Sequence, residues 1–216
     1  MKKILIISPH FPPSNLTAVH RARFLANHLA AFDWEPVILT VHEDFYEEEL
    51  DHHLEKILPE GLRIEQAGAS LLTKPRIIGD IGLRAFVSIF KKAKRLILTE
   101  KIDFVYITIP SFYGALWGRW LHEKTGVKYG IDYIDPWVHV FPGSNKLFSR
   151  HWFSTKVAAF LEPIAVKKAA LITGVAETYY NDVIVRNPHL KRSCLFVALP
   201  YGSEASDHEA VKRLAI

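Results

Sequence analysis

Most apolar residues of the chain fall into short uninterrupted runs, and seven of these runs are rich in β-branched residues. The runs are Lys3–Ser8, Pro36–Val41, Arg63–Ala67, Phe104–Ile109, Lys128–Tyr133, Leu171–Gly174 and Cys194–Leu199. Uninterrupted apolarity is typical of strands that helices cover on both faces, and segments with helical spacing separate the runs. The alternation predicts an α/β fold with a doubly wound, mostly parallel sheet of Rossmann type.

The segment after the first run carries the signals of a helix. Thr17 is predicted as its N-cap, and an apolar stripe predicts its buried side, formed by Val19, Phe24, Leu25 and Leu29. The basic and titratable residues are left for other surfaces, namely His20, Arg21, Arg23 and His28. Backbone amides at a helix start attract anions, so the preceding loop is a candidate anion site.

A second helix is predicted from Ser111 to Lys124, with Gly126 as its left-handed stop. Gly114 and Gly118 lie one turn apart on it, a spacing that lets a helix approach the sheet closely. We favour this packing role over a role in ligand binding.

Ligands of doubly wound sheets bind beyond the carboxyl ends of the strands. This rule selects four loops as candidate binding elements. They are Pro9–Leu16, His42–Phe45, Pro110–Tyr113 and Ile134–Gly143.

Composition narrows the class of protein. The 216 residues are 49% hydrophobic and 23% charged, which fits one large globular domain. The 27 basic and 23 acidic residues give a net charge of +4 without dense basic stripes, so no nucleic-acid partner is expected. Cys194 is the only cysteine, so it is predicted as a core residue in a reducing compartment. No apolar run approaches the roughly 18 residues of a membrane span.

Two common kinds of site are not expected. The first loop lacks Gly-x-Gly-x-x-Gly, and no carboxylate ends the second run at Thr40 to His42, so a bound NAD is not predicted. The adjacent His52 and His53, like the scattered other histidines, lack the spacing of metal ligands. We therefore expect neither a cofactor nor a metal ion.

The stretch GIDYIDPWVHVFPG is the most informative loop. A strand ending in Asp132 and Asp135, followed by Pro136 and Trp137, places a carboxylate beside a flat indole. Sugars are bound in this way, with hydrogen bonds to the hydroxyls and an aromatic ring against the apolar face. Alternatively, Asp135 stabilises the Pro136 turn and Trp137 belongs to the core. Local chemistry alone leaves both interpretations open.

Three stretches together carry a family pattern. They are KKILIISPHFPPSNLTAVHRARFLANHLAAFDWEPVILT, IDYIDPW, and ALITGVAETYYNDVIVRNP with LPYGSEASDHE. In this order they resemble the N-terminal domain of GT-B fold glycosyltransferases, in the retaining, glycogen synthase-like group that includes many bacterial polysaccharide and mannosyl transferases. The first looks like the opening strand, helix and second strand, the second like a strand before Pro-Trp, and the third like the crossing towards a second domain.

The resemblance implies an enzyme that moves a sugar from a nucleotide-diphosphate sugar to a glycan, lipid-linked or other acceptor held by this domain. Asp135 is then the catalytic candidate near the reacting centre, beside Trp137 and His139. His20 and Arg21 would meet phosphate charge, unless Arg21 is merely solvated on a plain loop. The remaining substrate-binding candidates are Pro13, Ser14, Asn15, Leu16, Thr17 and Ser111.

The chain also departs from the family pattern. Many members have Gly-Gly in the first loop, where this chain has Ser14-Asn15. We expect residues 1–200 to form the acceptor-side domain and 201–216 to begin the crossing to a donor-binding domain. On this expectation the chain alone is inactive. The alternative is a non-catalytic Rossmann-like binding or interaction module.

Two segments combine basic and apolar residues in a way that fits an anionic membrane surface. One is Lys74 to Lys101, where Arg76, Arg84, Lys91, Lys92, Lys94 and Arg95 are interleaved with apolar residues. The other is NKLFSRHWFSTKVAAFLEPIAVKK. A helix packed on the sheet with a solvated basic rim gives the same pattern, and we favour it. The predicted location is cytoplasmic, with a possible peripheral contact at the inner face of the membrane.

Overall fold

The structure is a computed structural model that describes residues 1–74, 80–139 and 146–214. All seven predicted strands are present in one parallel sheet, with the order β3-β2-β1-β4-β5-β6-β7. The strands are β1 Lys2–Ile7, β2 Trp34–Val41, β3 Arg63–Ala67, β4 Phe104–Thr108, β5 Lys128–Tyr133, β6 Leu171–Gly174 and β7 Leu195–Ala198. The predicted α/β, doubly wound class is thereby confirmed.

The strand order reverses at β1, which is the point that matters for a binding site. β1 pairs with β2 on one side and with β4 on the other, and β5 follows β4. Loops that leave β1 and β4 run to opposite sides, which opens a crevice at the carboxyl edge of the sheet. The predicted binding loops begin at this edge because every strand is parallel.

Helices cover both faces of the sheet. They are α1 Val19–His28, α2 Ile81–Arg84, α3 Phe86–Glu100, α4 Ala115–Thr125, α5 Arg150–Val166, α6 Thr178–Arg186 and α7 Ala205–Leu214. Side chains alternate along β1, so Leu5 and Ile7 enter the core beneath α3 and α4, whereas Ile6 joins the core beneath α1. Half-buried Cys194 packs against the larger core, and burial raises the pKa of its thiol to about 12.

The prediction for the second helix is confirmed in its main points. A 3-10 turn at Phe112–Gly114 leads into α4, and Gly126 ends the helix with a φ of 77°. A Cβ added at Gly118 would lie 2.2 Å from a ring carbon of Tyr129. Gly118 therefore lets α4 approach β5, as the packing interpretation required.

The predicted start of α1 is wrong. The helix begins at Val19, and its N-cap is Ala18, which makes no capping hydrogen bond with its side chain. Turn hydrogen bonds from Val19 to the Leu16 carbonyl and from His20 to the Thr17 carbonyl stabilise the entry instead. Thr17 is exposed in this turn.

The assignment of Arg21 and Arg23 to outer surfaces is also wrong, because both side chains are buried. Arg23 donates to Asp207 on α7 with an Nη1–Oδ1 distance of 2.8 Å. The pairing explains how a fully buried guanidinium is tolerated, since a carboxylate replaces the lost water.

Helix α3, in the first of the two basic segments, packs against the sheet. Its apolar residues Ile89, Ala93, Leu96 and Ile97 are buried against the sheet, so the packed-helix alternative describes it. Arg84 forms an ion pair with Glu47, and Lys92 forms one with Glu65. Arg76 lies outside the described residues. Within the ranges that the structure describes, no helix has the length and apolarity of a membrane span.

Candidate functional site

A buried ion pair joins α1 to the carboxyl end of β5. Arg21 Nε donates to Asp132 Oδ2 at 2.8 Å, and Nη2 donates to Oδ1 at 2.6 Å. Arg21 Nη1 also donates to the Leu199 carbonyl, and Thr173 Oγ1 donates to Asp132 Oδ1 at 2.6 Å. The parallel, two-pronged geometry is the strong form of this pairing. It fixes the first loop and the β5 loop at the same edge of the sheet.

Two tyrosines extend this cluster. The Tyr106 hydroxyl lies 2.6 Å from Thr173 Oγ1, and burial raises the pKa of Tyr106. The ring of Tyr201 lies 5.4 Å from the Arg21 guanidinium carbon. Burial raises the pKa of Tyr201, and the carboxylates of Asp132 and Asp135 raise it further, against the effect of Arg21. Tyr201 therefore lies within electrostatic reach of Asp135.

A second polar cluster forms at the end of β1. His10 Nδ1 lies 2.7 Å from Glu48 Oε1, and Ser14 Oγ donates to the same oxygen. Burial would raise the pKa of Glu48, but the hydrogen bonds from His10 and Ser14 lower it to about 2. Glu48 is therefore ionised at neutral pH, and its carboxylate can accept the Nδ1 proton of His10 and orient the ring.

Tyr46 holds this imidazole from one side. Its ring stacks on His10 with the centroids 5.2 Å apart. Its hydroxyl accepts from the Phe11 amide at 3.1 Å and lies 2.9 Å from Thr40 Oγ1. Burial raises the pKa of Tyr46 to about 12, so the hydroxyl stays neutral. The position of the His10 ring is thus determined by contacts on β2 and its following loop.

The predicted substrate-binding residues of the first loop divide into two groups. Pro13 and Ser14 are buried, and the Pro13 carbonyl accepts from the Asp51 amide at 2.7 Å. Asn15, Leu16 and Thr17 are exposed. The exposed group is the part of the loop that is available to a ligand.

His20 and Arg21, the two expected phosphate contacts, are engaged with the protein itself. His20 Nδ1 lies 3.2 Å from Arg23 Nη2, and its ring stacks on Phe24. Burial, followed by the charge of Arg23, lowers the pKa of His20. The guanidinium of Arg21 donates to Asp132 and to a backbone carbonyl, as described above.

The candidates near β4 and β5 also differ in exposure. Trp137 is 8% exposed and stacks on Phe112 with the ring centroids 6.1 Å apart, which is the core position of the alternative interpretation. Ser111 is buried and donates to Asp80. Asp135 and His139 are exposed. Residues 140–143 of the predicted loop lie outside the described residues.

A cavity of about 340 Å³ opens beside Arg21 and Tyr201. Its walls come from α1 and from the crossing that leads to α7, and they are mostly apolar. The remaining lining residues are Phe24, Leu25, His28, Leu29, Phe32, Leu199, Pro200, Gly202, Ser203 and Glu204. The segment predicted as an interdomain crossing therefore forms one wall of a cleft, and α7 packs back against α1 through Asp207.

One group of residues has the geometry for a cation. The ligand atoms of Glu43, His52 and Glu55 lie within 4.8 Å of one another. His52 Nδ1 already lies 2.7 Å from Glu55 Oε2, and His52 is solvent-exposed. The Glu55 carboxylate therefore already has the His52 imidazole as its hydrogen-bond partner. The three residues supply no separate evidence for a metal ion.

Sequence reasoning missed His10, Glu48 and Tyr201 as site residues. His10 directly follows β1 at the edge that the loop rule selects, so that rule could have found it. Glu48 lies in the acidic run EDFYEEE, where nothing in the sequence distinguishes it from its neighbours. Asp132 was recognised as a strand end, but its partner Arg21 is 111 positions away.

The fold of this chain is similar to about half of several glycosyltransferases of solved structure, in agreement with the Rossmann-like, GT-B-type fold that the resemblance implied. Sucrose-phosphate synthase from Thermosynechococcus elongatus matches with a TM-score of 0.65 at 16% identity, over 100% of this chain and 53% of that chain. A UGT transferase from Siraitia grosvenorii in complex with UDP matches with a TM-score of 0.57 at 11% identity, over 99% and 55%.

Anabaena HepE in complex with UDP and glucose matches with a TM-score of 0.54 at 13% identity, over 100% of this chain and 50% of that chain. The chain thus spans about half the length of these proteins. Neither a protein-family model nor a curated protein sequence matches it. At 11–16% sequence identity, these similarities show a shared fold and nothing more specific.

Proposed function

We propose that this chain is the acceptor-side domain of a glycosyltransferase. The proposed reaction moves a sugar from a nucleotide-diphosphate sugar to a hydroxyl of a cell-surface glycan or lipid-linked acceptor. The fold supports this because solved structures that share it hold UDP or UDP with glucose. The proposed place of action is the bacterial cytoplasm, at the inner face of the membrane, in polysaccharide biosynthesis.

The observation that carries the proposal is the grouping of oriented polar residues at the carboxyl edge, where the strand order reverses. Arg21 and Asp132 hold α1 to β5, and His10 lies at the end of β1 next to the reversal. Crevices of this kind bind ligands in doubly wound folds. Asp135 follows the carboxyl end of β5, three residues after Asp132, and is exposed for contact with a sugar hydroxyl.

His10 is the proposed general base. With Nδ1–H donated to the Glu48 carboxylate, Nε2 keeps its lone pair and can accept the proton of an acceptor hydroxyl. Glu48 selects this tautomer and stabilises the positive charge that the ring acquires, the same division of roles as in other carboxylate–histidine pairs. The deprotonated oxygen attacks the anomeric carbon, and the nucleoside diphosphate leaves with the bonding electron pair. This single displacement inverts the anomeric configuration, unlike the reaction of the retaining group that the sequence resembles.

The expected role of Asp135 is to bind and orient the acceptor or the transferred sugar. An exposed carboxylate at the crevice can accept hydrogen bonds from two hydroxyls. Holding the acceptor in line with the donor removes the entropic cost of bringing two reactants together. We propose that the donor is held mainly by a second domain, so closure of two domains would complete the site.

The direct test is sugar transfer by the whole protein that contains residues 1–216. A panel of nucleotide-diphosphate sugars is offered with lipid-linked and free glycan acceptors, and release of the nucleoside diphosphate is measured. Release that depends on an acceptor supports the proposal. If no donor in the panel is consumed, although the protein is folded and binds a nucleotide-diphosphate sugar, the proposal is contradicted.

A further inference from the structure

The outer face of α5 leaves a row of large apolar side chains uncovered. Phe153, Val157, Phe160 and Ile164 follow at intervals of four, three and four residues, so they share one helical face. Their exposed fractions are 51%, 42%, 71% and 36%. The buried residues of this helix lie on its other side, where α5 packs against α4. The row extends about 16 Å along the helix.

An aromatic cluster continues this row at the start of α5. The ring of Phe148 lies 5.7 Å from that of Trp152, which in turn lies 5.0 Å from that of Phe153. Phe148 is 75% exposed, and its φ of 61° is a left-handed conformation that bulky residues rarely adopt. Leu147 beside it is 68% exposed. The backbone therefore presents two large apolar side chains to the outside at this end.

The exposed charges of the segment that carries the row have one sign. Between Lys146 and Lys168 the only acidic residue is Glu162, which is fully buried and accepts two hydrogen bonds from Arg186 at 2.8 and 2.9 Å. Three lysines of the helix and its end are exposed, namely Lys156, Lys167 and Lys168. Lys156 Nζ lies 5.7 Å from the Trp152 ring centroid. The exposed charge of the described part of this segment is therefore positive.

We propose that the outer face of α5, with Leu147 and Phe148, is a docking surface for an anionic phospholipid bilayer. Phenylalanine and tryptophan enter the boundary between headgroups and acyl chains, and lysines at the margin pair with anionic headgroups. A second copy of this chain fits less well, because the same face would bring lysines against lysines. The inference rests on the membrane location in the proposed function and specifies the surface involved. Its test measures no activity, so its failure would leave the proposal of sugar transfer standing.

The test is sedimentation of the chain with vesicles. Vesicles of phosphatidylcholine with phosphatidylglycerol are expected to bind it at low salt, and vesicles of phosphatidylcholine alone are expected to bind it weakly. Replacing both Phe153 and Phe160 by serine is expected to lower the partition coefficient by at least about tenfold, because two apolar anchors are lost. Replacing Lys156 and Lys168 by glutamate is expected to lower it by about tenfold or more.

Two control variants match these changes elsewhere on the surface. Phe32→Ser with Val185→Ser removes two apolar side chains that are 74% and 77% exposed, and Lys101→Glu with Lys191→Glu reverses two exposed lysines. Both are expected to bind vesicles as the unmodified chain does. Absence of binding to anionic vesicles at low salt would overturn the proposal. So would equal losses in the control variants, or a self-association by ultracentrifugation that the Phe153 and Phe160 changes abolish while vesicle binding persists.

Discussion

At the level of single residues, Arg21 is the cation that ties α1 to the end of β5. Its guanidinium was expected to meet the phosphates of a ligand, and its buried position next to Asp132 gives it a different task. A charge at this depth persists only with a partner, because the lost hydration must be replaced. The ion pair thus positions the first loop and the β5 loop for whatever binds between them.

Arg21→Met is expected to destabilise the chain by about 3–5 kcal/mol, because it leaves Asp132 buried without its cation. Urea unfolding measures the change. Arg63→Met is the matched control, since Arg63 pairs with Glu65 and Glu100 at the surface. Its effect should stay below about 1 kcal/mol. Equal effects of the two changes would contradict the structural role of the buried pair.

Glu48 gives the stability of the chain a dependence on pH. Its pKa is about 2 in the folded chain, below the ordinary 4.5, so its contribution is fully present above pH 4.5. That contribution is lost as the pH falls from 4.5 through about 2. The free energy of unfolding of the unmodified chain should therefore fall more steeply over this range than that of Glu48→Gln. Parallel curves for the two proteins would contradict the hydrogen bonds assigned to Glu48.

At the level of elements, the strands were predictable because each is covered on both faces and so is apolar without interruption. The α4 stop at Gly126 was predictable because only glycine adopts a left-handed φ without cost. The start of α1 was not, since turn hydrogen bonds rather than a capping side chain stabilise it. The choice between a core position and a sugar-binding position for Trp137 was not predictable either, because its stacking on Phe112 depends on how two loops meet.

Gly118→Ala tests the close contact of α4 with β5. The added methyl group would lie 2.2 Å from a carbon of Tyr129, a fully buried ring. We expect a loss of about 1–3 kcal/mol, measured as thermal or urea unfolding. Gly202→Ala is the control, because nothing lies within 4 Å of a Cβ there. A stable Gly118→Ala variant would show that α4 does not lie as close to the sheet as described.

At the level of the whole molecule, the parallel sheet brings the ends of β1, β4 and β5 to one edge, and this much follows from the strand pattern. The composition of the site does not follow from it. Arg21 and Asp132 are 111 positions apart, and the partner of His10 lies in a run of similar acids. Pairings of this kind depend on the folded chain, whereas apolar runs are visible in the sequence itself.

The central claim is that this edge handles a sugar acceptor, with His10 as the base. The most direct measurement is kcat for sugar transfer by the whole protein with His10→Gln, beside His189→Gln as a control. His189 is exposed and lies in the turn Pro188–Arg192, outside the clusters at the carboxyl edge. With both variants folded by circular dichroism, His10→Gln should lower kcat by about 10²–10⁴-fold, and the control should leave it unchanged. Unchanged turnover in His10→Gln would contradict the claim.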